Sequence, residues 1–552
     1  MKKYKIPASI LAIIIVIGLF SFNNPNERYF EITRNLDIFS TLFKEVNAYY
    51  VDEVNPNKLI KTGIDAMLAS LDPYTNYIPE DDIEDYRTMT TGQYGGIGAV
   101  IGNRNGKNVI MMPYEGFPAH KAGLKIGDEI LKVNDVDVSD KNTNDISQLL
   151  KGQANTKLNV TIKRYGEEEP LVLDITREKI TIDNVPYSGL VTDDIGYIKL
   201  SDFTTGAGKE VKKSLDNLKK EGAKKIILDL RGNPGGLLNE AVNVSNVFIS
   251  QGSEVVSTKG KVTDWNKTYK ALNQPSDTEI PIAVLTGRRS ASAAEIVSGV
   301  IQDYDRGVLV GEKTFGKGLV QATRPLTYNS QLKITTAKYY IPSGRCIQAI
   351  NYSERNEDGS VGIIPDSLKS EFTTQNGRKV FDGGGVDPDL EVEPMMPAPI
   401  TFSLSAKGLI FEYGLKYHHT HENIAPAKDF ELTDKEYQDF VEWLSDKEYD
   451  YTTKVEKTIE NLTKYAKAEK YFDNIKTELE ELEKKAAHNK EKDLVEFASE
   501  IKSMVEQQIV ENYYLMKGDF EAGFKHDIQI QSAVELLQDS VKYNTLLTVS
   551  SK

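Results

Sequence analysis

The sequence is poor in cysteine and histidine, and each shortage excludes a class of chemistry. Its 552 residues contain one cysteine, Cys346, so no disulfide can form within the chain. No histidine stands between His120 and His418. A serine nucleophile in that long interval would therefore lack the usual histidine base, and lysine is the best alternative base in the interval.

The chain also has too few basic residues for a nucleic-acid partner. Its 67 lysines and arginines face 82 acidic residues, a net charge of −15, whereas phosphate binding needs a basic surface. His418, His419 and His421 lack carboxylate or cysteine partners at a metal-binding spacing. We find no nucleotide motif, so we expect no metal and no other cofactor.

The N-terminus carries the one long apolar run. Lys2, Lys3 and Lys5 precede an apolar stretch over residues 6–20, the pattern of an export signal. No Ala-x-Ala cleavage site follows. Residues 1–25 are therefore predicted to be a signal peptide or an uncleaved membrane anchor. The basic flank places the rest outside the cytoplasm, in the periplasm or anchored to the membrane.

The length predicts several domains, since domains average roughly 150 residues. Apolar spacing predicts helices over 30–90, and short strands with turns follow over 92–178. Strands and helices alternate over 179–400, which predicts an α/β core. Its segment 225–230 is nearly all apolar, as in a sheet covered on both faces. Residues 401–552 are predicted to be a helical extension.

Ser292 stands where a strand gives way to a helix, and two interpretations compete. Ser292 to Glu295 reads as a capping box, in which Glu295 reaches back to the Ser292 N–H. A helix N-terminus also favours negative charge, so an oxyanion bound to Ser292 would meet the N–H of Ala293. The motif alone favours the cap.

Two other segments favour chemistry at Ser292. The turn 233–236, with Gly235 and Gly236, exposes amides that could supply a second oxyanion donor, although it also reads as a tight turn. Lys317 lies between glycines in apolar surroundings. Burial lowers the pKa of a lysine, so its neutral amine could take the serine proton, although most lysines are surface residues. Gln321 could orient that amine.

Together these segments resemble a known family, the carboxy-terminal processing peptidases or tail-specific proteases. The resemblance rests on residues 228–236, 290–296, 312–321 and 339–345, in order and at the family's spacing. Residues 71–75 resemble the family's N-terminal helical segment, and residues 119–134 resemble its PDZ domain. Cys346, where a serine is usual, and an insertion over 349–384 depart from the family pattern.

The resemblance implies a multidomain α/β fold: a crotonase-like protease core with an inserted β-rich PDZ domain, a helical N-terminal segment and a helical C-terminal extension. It implies that Ser292 is the nucleophile, Lys317 the general base and Gln321 the residue that orients the lysine. The oxyanion donors would be the amides of Ala293 and of either Gly235 or Gly236.

The predicted PDZ domain has a glycine-rich loop, Gly96, Ile97, Gly98 and Ala99. Its amides would surround the carboxylate of a protein or peptide tail that adds as a strand, although an ordinary glycine-rich turn has the same composition. Both ends of the domain join the core, so it could move about residues 90–92. Homo-oligomerisation is left open by the sequence.

The sequence therefore predicts an exported serine endopeptidase that recognises C-terminal tails. One alternative is a catalytically silent PDZ scaffold that only binds tails. A crotonase-type acyl-CoA hydrolase or hydratase is a second, but it leaves the predicted PDZ domain without a role.

We expect Ser292→Ala to abolish turnover and to leave tail binding intact, because the substitution removes the nucleophile and not the PDZ pocket. Ser290→Ala should keep activity, since a residue before the helix cannot share the Ala293 amide. Peptidase assays beside tail-peptide binding check both. An inactive Ser290→Ala with an active Ser292→Ala would place the nucleophile two residues earlier.

Overall fold

The computed structural model describes residues 25–356 and 358–548, which fall into two compact units divided between Tyr77 and Ile78. Apart from Pro25, the predicted leader lies outside the described residues. Within those residues, no helix combines the length and the apolarity needed to cross a membrane.

The described part of the first unit, from residue 25 on, contains two helices, α1 (Pro25–Tyr49) and α2 (Pro56–Ala69). Helix α2 begins where its sequence indicates, because the Asn55 side chain accepts from the Lys58 N–H at 3.1 Å and proline occupies the first turn. Leu36, Phe39 and Leu42 of α1 are exposed. Strand β1 (Asn76–Ile78) follows.

Near the start of the second unit lies helix α3 (Ile83–Thr91), which ends at Gly92 in the left-handed conformation, φ 67°. Strand β2 (Gln93–Gly96) then enters the predicted PDZ domain, and strand β9 (Glu178–Thr181) leaves it. The two strands pair antiparallel. The inserted domain is therefore joined to the core by a two-stranded ribbon.

The inserted domain is a sheet of order β3-β4-β5-β7-β8, with β6 paired to β5. Strand β7 alternates as its sequence predicts, and its inward Leu158, Val160 and Ile162 pack in the domain's own core. Its elements are β3 (Ala99–Arg104), β4 (Lys107–Pro113), α4 (Pro118–Lys121), β5 (Glu129–Val133), β6 (Val136–Asp137), α5 (Thr143–Leu150), β7 (Lys157–Lys163) and β8 (Leu171–Thr176).

The α/β core is built on a sheet of order β10-β11-β12-β15-β16-β23, in which β10 runs antiparallel to β11 and the other pairs are parallel. Residues 226–229 in the middle of the sheet are all buried, as expected for a strand covered on both faces. The strands are β10 (Tyr187–Leu190), β11 (Ile195–Lys199), β12 (Lys225–Asp229), β15 (Ile282–Thr286), β16 (Val308–Gly311) and β23 (Leu390–Glu391).

One face of this sheet is covered by helices of the core itself, α6 (Ala207–Lys220), α7 (Leu238–Phe248) and α8 (Ala293–Asp303). The other face is covered from the far end of the chain. Ile227 and Leu285 pack there against Ile530, Val534 and their neighbours in helix α16 (Ile528–Gln538). The C-terminal extension therefore completes the core.

A second, antiparallel sheet contains β13 (Glu254–Gly260), β14 (Lys267–Lys270), β17 (Leu319–Pro325) and β18 (Gln331–Tyr340). The segment that departs from the family pattern, 349–384, forms two hairpins. They pair β19 (Ile350–Arg355) with β20 (Val361–Ile363) and β21 (Glu371–Thr373) with β22 (Lys379–Phe381).

The C-terminal helical domain, residues 399–548, has its own core around Tyr413, Phe440, Ile501 and Val505. Helix α15 breaks at Leu515, whose φ of 54° and ψ of −149° are not helical. The helices are α9 (Pro399–Ala406), α10 (Leu409–Thr420), α11 (Asp434–Trp443), α12 (Lys454–Ala468), α13 (Phe472–Ala486), α14 (Lys490–Glu496), α15 (Ala498–Gly523), α16 and α17 (Ser540–Leu546). The predicted fold class is confirmed.

We expect Leu537→Ala to weaken the core sheet although Leu537 lies near the C-terminus. The side chain is 3% exposed against the sheet, and truncating a buried leucine costs about 2–5 kcal/mol. Hydrogen exchange should show lower protection of the β12, β15 and β16 amides. Leu462→Ala, at a position 44% exposed, is the control and should leave that protection unchanged. Unchanged protection in both variants would contradict the role given to α16.

Candidate active site

The candidate residues converge at the carboxyl ends of three neighbouring parallel strands. The turn 233–236 follows β12, Ser292 follows β15, and the loop that carries Lys317 follows β16. Crevices at this edge of an open α/β sheet are where such folds place ligands.

Ser292 itself is held in an unusual backbone conformation. Its φ of 55° and ψ of −112° are rare for a residue with a side chain. Gly235 allows this turn, because a Cβ built on Gly235 would lie 2.8 Å from the Ser292 Cβ and from the Ala293 nitrogen. Ser292 is half-buried at the start of α8 and thus not closed off from solvent.

The Glu295 carboxylate joins the serine turn to the lysine loop. Its Oε2 accepts from the N–H groups of Ser292 and Lys317, both at 2.8 Å. Its Oε1 accepts from the Thr314 hydroxyl at 2.5 Å and from the Gly316 N–H at 2.7 Å. Glu295 is fully buried, and burial raises its pKa while the four hydrogen bonds oppose that rise.

Tyr339 of β18 holds the same two residues by their carbonyl groups. Its buried hydroxyl lies 2.6 Å from the Lys317 oxygen and 3.1 Å from the Ser292 oxygen, so one proton is shared between two acceptors. Burial raises the pKa of Tyr339 well above its usual value, which keeps that proton in place. The backbones of Ser292 and Lys317 are therefore neighbours, bridged twice.

The amides near Ser292 differ in whether they have an acceptor. The Gly235 N–H donates to the Asn233 Oδ1 at 2.8 Å. The N–H groups of Ala293 and Gly236 have no acceptor within the described chain. The Gly235 oxygen accepts from the Phe203 N–H. Because the peptide bond between Gly235 and Gly236 is trans, the Gly236 N–H points in the direction opposite to that oxygen, away from Phe203. Of the two glycines that the sequence left open, the geometry favours Gly236.

Gln321 lies on β17, opposite Thr335 of β18. Its Nε2 donates to the Thr335 hydroxyl at 3.1 Å, which leaves the Oε1 as the atom suited to accept from an amine. That the glutamine orients Lys317 stays a prediction.

Ser290 has a structural role. It is fully buried, its hydroxyl donates to the Leu230 oxygen at 2.7 Å, and it accepts from the Gly287 N–H at 3.0 Å. The cost of Ser290→Ala should therefore appear in stability, at about 1 kcal/mol for a lost hydrogen bond.

A buried ion network beneath the site went unrecognised in the sequence. Asp229 is fully buried; burial opposes its charge, but Arg231 and Lys199 hold its pKa far below the usual range. Arg231 also reaches the C-terminal helical domain, where its Nη1 lies 2.8 Å from Asp527. Asp229 and Arg231 are close together in the sequence, but Asp527, the second acidic partner of Arg231, lies 296 positions away from it.

The predicted tail-binding loop lies between β2 and β3. Gly96 ends β2 and Ala99 begins β3, an edge strand of its sheet. Ile97 and Gly98 accept hydrogen bonds through their oxygens, and their N–H groups have no acceptor in the part of the chain that the structure describes. Two adjacent unpaired amides beside a free strand edge suit a peptide carboxylate.

The three neighbouring histidines, His418, His419 and His421, lie at the end of α10. Among the described residues, no group of three or more histidine, cysteine or acidic side chains is arranged to hold a metal ion.

Comparison with known proteins identifies the family. The model of Peptidase family S41 matches residues 194–369, a PDZ domain model matches 109–164, and a model described as "Probable PDZ-protease, C-terminal helical domain" matches 400–537. A carboxy-terminal-processing protease of Bartonella bacilliformis is 36% identical over 359 residues, 64% of this chain and 79% of that protein. The chain belongs to the carboxy-terminal-processing protease family.

The chain is similar to other proteins as well. A probable CtpA-like serine protease of Staphylococcus aureus is 37% identical over 316 residues, 57% of this chain and 62% of that protein. The solved photosystem II D1 C-terminal processing protease is 26% identical, with 64% of this chain and 92% of that chain covered and a TM-score of 0.34. The predictions of a serine-type peptidase and of a PDZ domain are confirmed.

We expect Glu295→Gln to damage the active site of this carboxy-terminal-processing protease although the side chain keeps its shape. Each carboxylate oxygen accepts two hydrogen bonds, so the amide nitrogen would face two donors. Stability should fall by roughly 1–3 kcal/mol. Turnover should fall about 10²-fold, because small displacements of reacting groups are costly.

Melting temperature and peptide-cleavage rate test this expectation. Glu279→Gln, at an exposed position of the same core, is the matched control and should behave as the wild type. Wild-type turnover in a folded Glu295→Gln protein would show that the carboxylate does not position Ser292 and Lys317.

Proposed function

We propose that this protein is an exported serine endopeptidase that captures protein or peptide substrates by their C-terminal tails in its PDZ domain and cleaves them with a Ser292–Lys317 pair. The observation that carries the proposal is the double bridge between the two residues. Glu295 accepts from both of their amides, and Tyr339 lies against both of their carbonyl oxygens.

In the proposed reaction, the neutral Lys317 amine takes the proton of the Ser292 hydroxyl as the serine oxygen attacks the peptide carbonyl. The oxyanion that forms is stabilised by the N–H groups of Ala293 and Gly236, which are otherwise without acceptors in the described residues. The intermediate collapses to an ester as the leaving amine takes the proton from Lys317. A water, deprotonated by the same lysine, then hydrolyses the ester and frees Ser292.

Lysine is a competent base only when neutral, and burial favours the neutral form because it disfavours the charged ammonium. Lys317 is half-buried between Gly316 and Gly318, both buried. A Cβ at Gly318 would lie 2.8 Å from the Gln348 nitrogen, and one at Gly316 would lie 2.4 Å from the Ala349 Cβ. Only glycines let the lysine loop lie this close to the segment around Ala349.

Tail capture is proposed for the loop 96–99 and the edge of β3. The carboxylate would bind the amides of Ile97 and Gly98, and the peptide would extend along β3 beside helix α5. Ile97 fixes the loop because its side chain is buried in the PDZ core and its oxygen accepts from the Ala119 N–H at 2.8 Å.

Export rests on the sequence of the leader, with its three lysines and apolar run. Under this proposal the described domains lie outside the cytoplasm, free in the periplasm or held at the membrane. The oligomeric state is left open. Protease accessibility of the protein in intact cells and in spheroplasts tests this part. Protein found only in the soluble cytoplasmic fraction would contradict it.

A silent PDZ scaffold is the alternative, and base chemistry separates the two. We expect Lys317→Arg to be nearly as inactive as Lys317→Ala, because a guanidinium stays protonated and cannot accept the Ser292 proton. For the same reason, wild-type activity should fall as pH is lowered and the lysine becomes protonated. Peptidase assays across pH, with tail binding measured in parallel, check both expectations.

The matched control is Lys313→Arg in the same loop. Lys313 forms a half-exposed ion pair with Asp387 at 2.9 Å, which a guanidinium can also form, so activity should be retained. Substantial activity in Lys317→Arg would mean that Lys317 serves only as a charge. Tail binding without cleavage by the wild type would support the scaffold.

A further inference from the structure

The PDZ domain has an apolar surface that its own fold does not cover. Val109, Met112 and Ile126 are each less than a tenth exposed, but they form a cluster separate from the PDZ core. Their partners come from the C-terminal helical domain. Those partners are Phe411 and Leu415 of α10 and Leu515 and Met516 of α15.

Two tight turns of the PDZ domain fit closely against helix α10. A Cβ at Gly127 would lie 2.4 Å from Leu415, and one at Gly166 would lie 2.3 Å from His419. Both glycines have positive φ, 84° and 80°. At both turns the glycine backbone itself therefore lies against the side chains of α10, with no room for a side chain between them.

The end of the proposed peptide strand also touches the helical domain. The Arg104 guanidinium at the end of β3 lies 5.7 Å from the centre of the Phe411 ring. The Asn105 side chain donates to the Lys407 oxygen at 3.2 Å. The strand proposed to receive the tail thus ends at the helical domain.

The helical domain is in turn fixed to the protease core. Phe520 of α15 and Phe524, directly after this helix, pack on Tyr187 and Tyr197 of the core, with ring centres 5.0–6.5 Å apart. The Tyr543 hydroxyl bonds both the N–H and the oxygen of Ile282. The PDZ domain is therefore connected to the catalytic sheet along two routes, the β2–β9 ribbon and the helical domain.

We propose that the contact between the C-terminal helical domain and the PDZ domain determines where substrates are cut, by fixing the span between the captured tail and Ser292. This inference rests on the proposed function. Domains joined only by a ribbon move by default, whereas an apolar interface restrains them. With a fixed span, cleavage is most frequent at the chain length that matches it, and a mobile tether flattens this preference.

The contact can be weakened without touching the site or the tail-binding loop. Phe411→Ala/Leu415→Ala removes the α10 side of the contact, and Leu515→Ala/Met516→Ala removes the α15 side independently. Phe402→Ala/Leu462→Ala is the control. It truncates the residue types of the α10 variant at positions of the same helical domain that are 65% and 44% exposed. Melting temperature, cleavage of a short reporter peptide without a tail, and binding of a tail peptide show that each variant is folded and intact.

The test substrate is an unstructured repeat of identical units that ends in an apolar tail, and intact-mass spectrometry of the products gives the cut positions. For the wild type and the control, we expect one dominant cut at a constant distance from the C-terminus, unchanged when repeats are added upstream. In both contact variants the dominant product should give way to a series of products, with reporter cleavage and tail binding unchanged.

Equally narrow cleavage in the contact variants would overturn the inference. So would wild-type cuts that ignore the tail position while the reporter is cleaved, and the proposed peptidase would then still stand. A wild type that cleaves neither the substrate nor the reporter would overturn the proposed function and this inference with it.

Discussion

The active site depends on one buried carboxylate, that of Glu295. A carboxylate removed from water is costly unless hydrogen bonds replace its hydration, and here three amides and one hydroxyl do so. The donors come from two loops that follow different strands. The hydrogen bonds that compensate the burial of Glu295 are thus the same ones that hold Ser292 beside Lys317.

The same logic explains the strained serine. A residue with a side chain at positive φ costs about 1–3 kcal/mol and persists only where its surroundings fix it. Glu295 holds the Ser292 N–H, Tyr339 lies on its oxygen, and Gly235 leaves room behind its Cβ. In this turn the N–H of Ala293 has no acceptor within the described residues, which its proposed role as an oxyanion donor requires.

Local patterns in the sequence were sufficient for local structure. The capping box predicted that Glu295 would reach the Ser292 N–H, and the apolar run at 225–230 predicted a sheet covered on both faces. The contacts that the sequence did not predict are those between residues far apart in the chain. Nothing near Glu295 indicates that it also binds the Lys317 amide. Nothing in β12 indicates that α16 is the helix that covers the second face of its sheet. The preference for Gly236 over Gly235 as the proposed donor depends on where the Asn233 side chain points.

Helix α16, which covers the second face of the core sheet, also connects the proposed catalytic turn to a distant part of the chain. Asp229 ends β12 just before the turn that carries the proposed oxyanion donor, and its charge is balanced by Arg231 and Lys199. Arg231 is also bonded by Asp527 and Gln529 at the start of α16. Loss of the helix would expose the sheet and leave Arg231 with fewer partners beside that turn. The C-terminal helical domain is therefore part of the catalytic fold as well as the support of the PDZ domain.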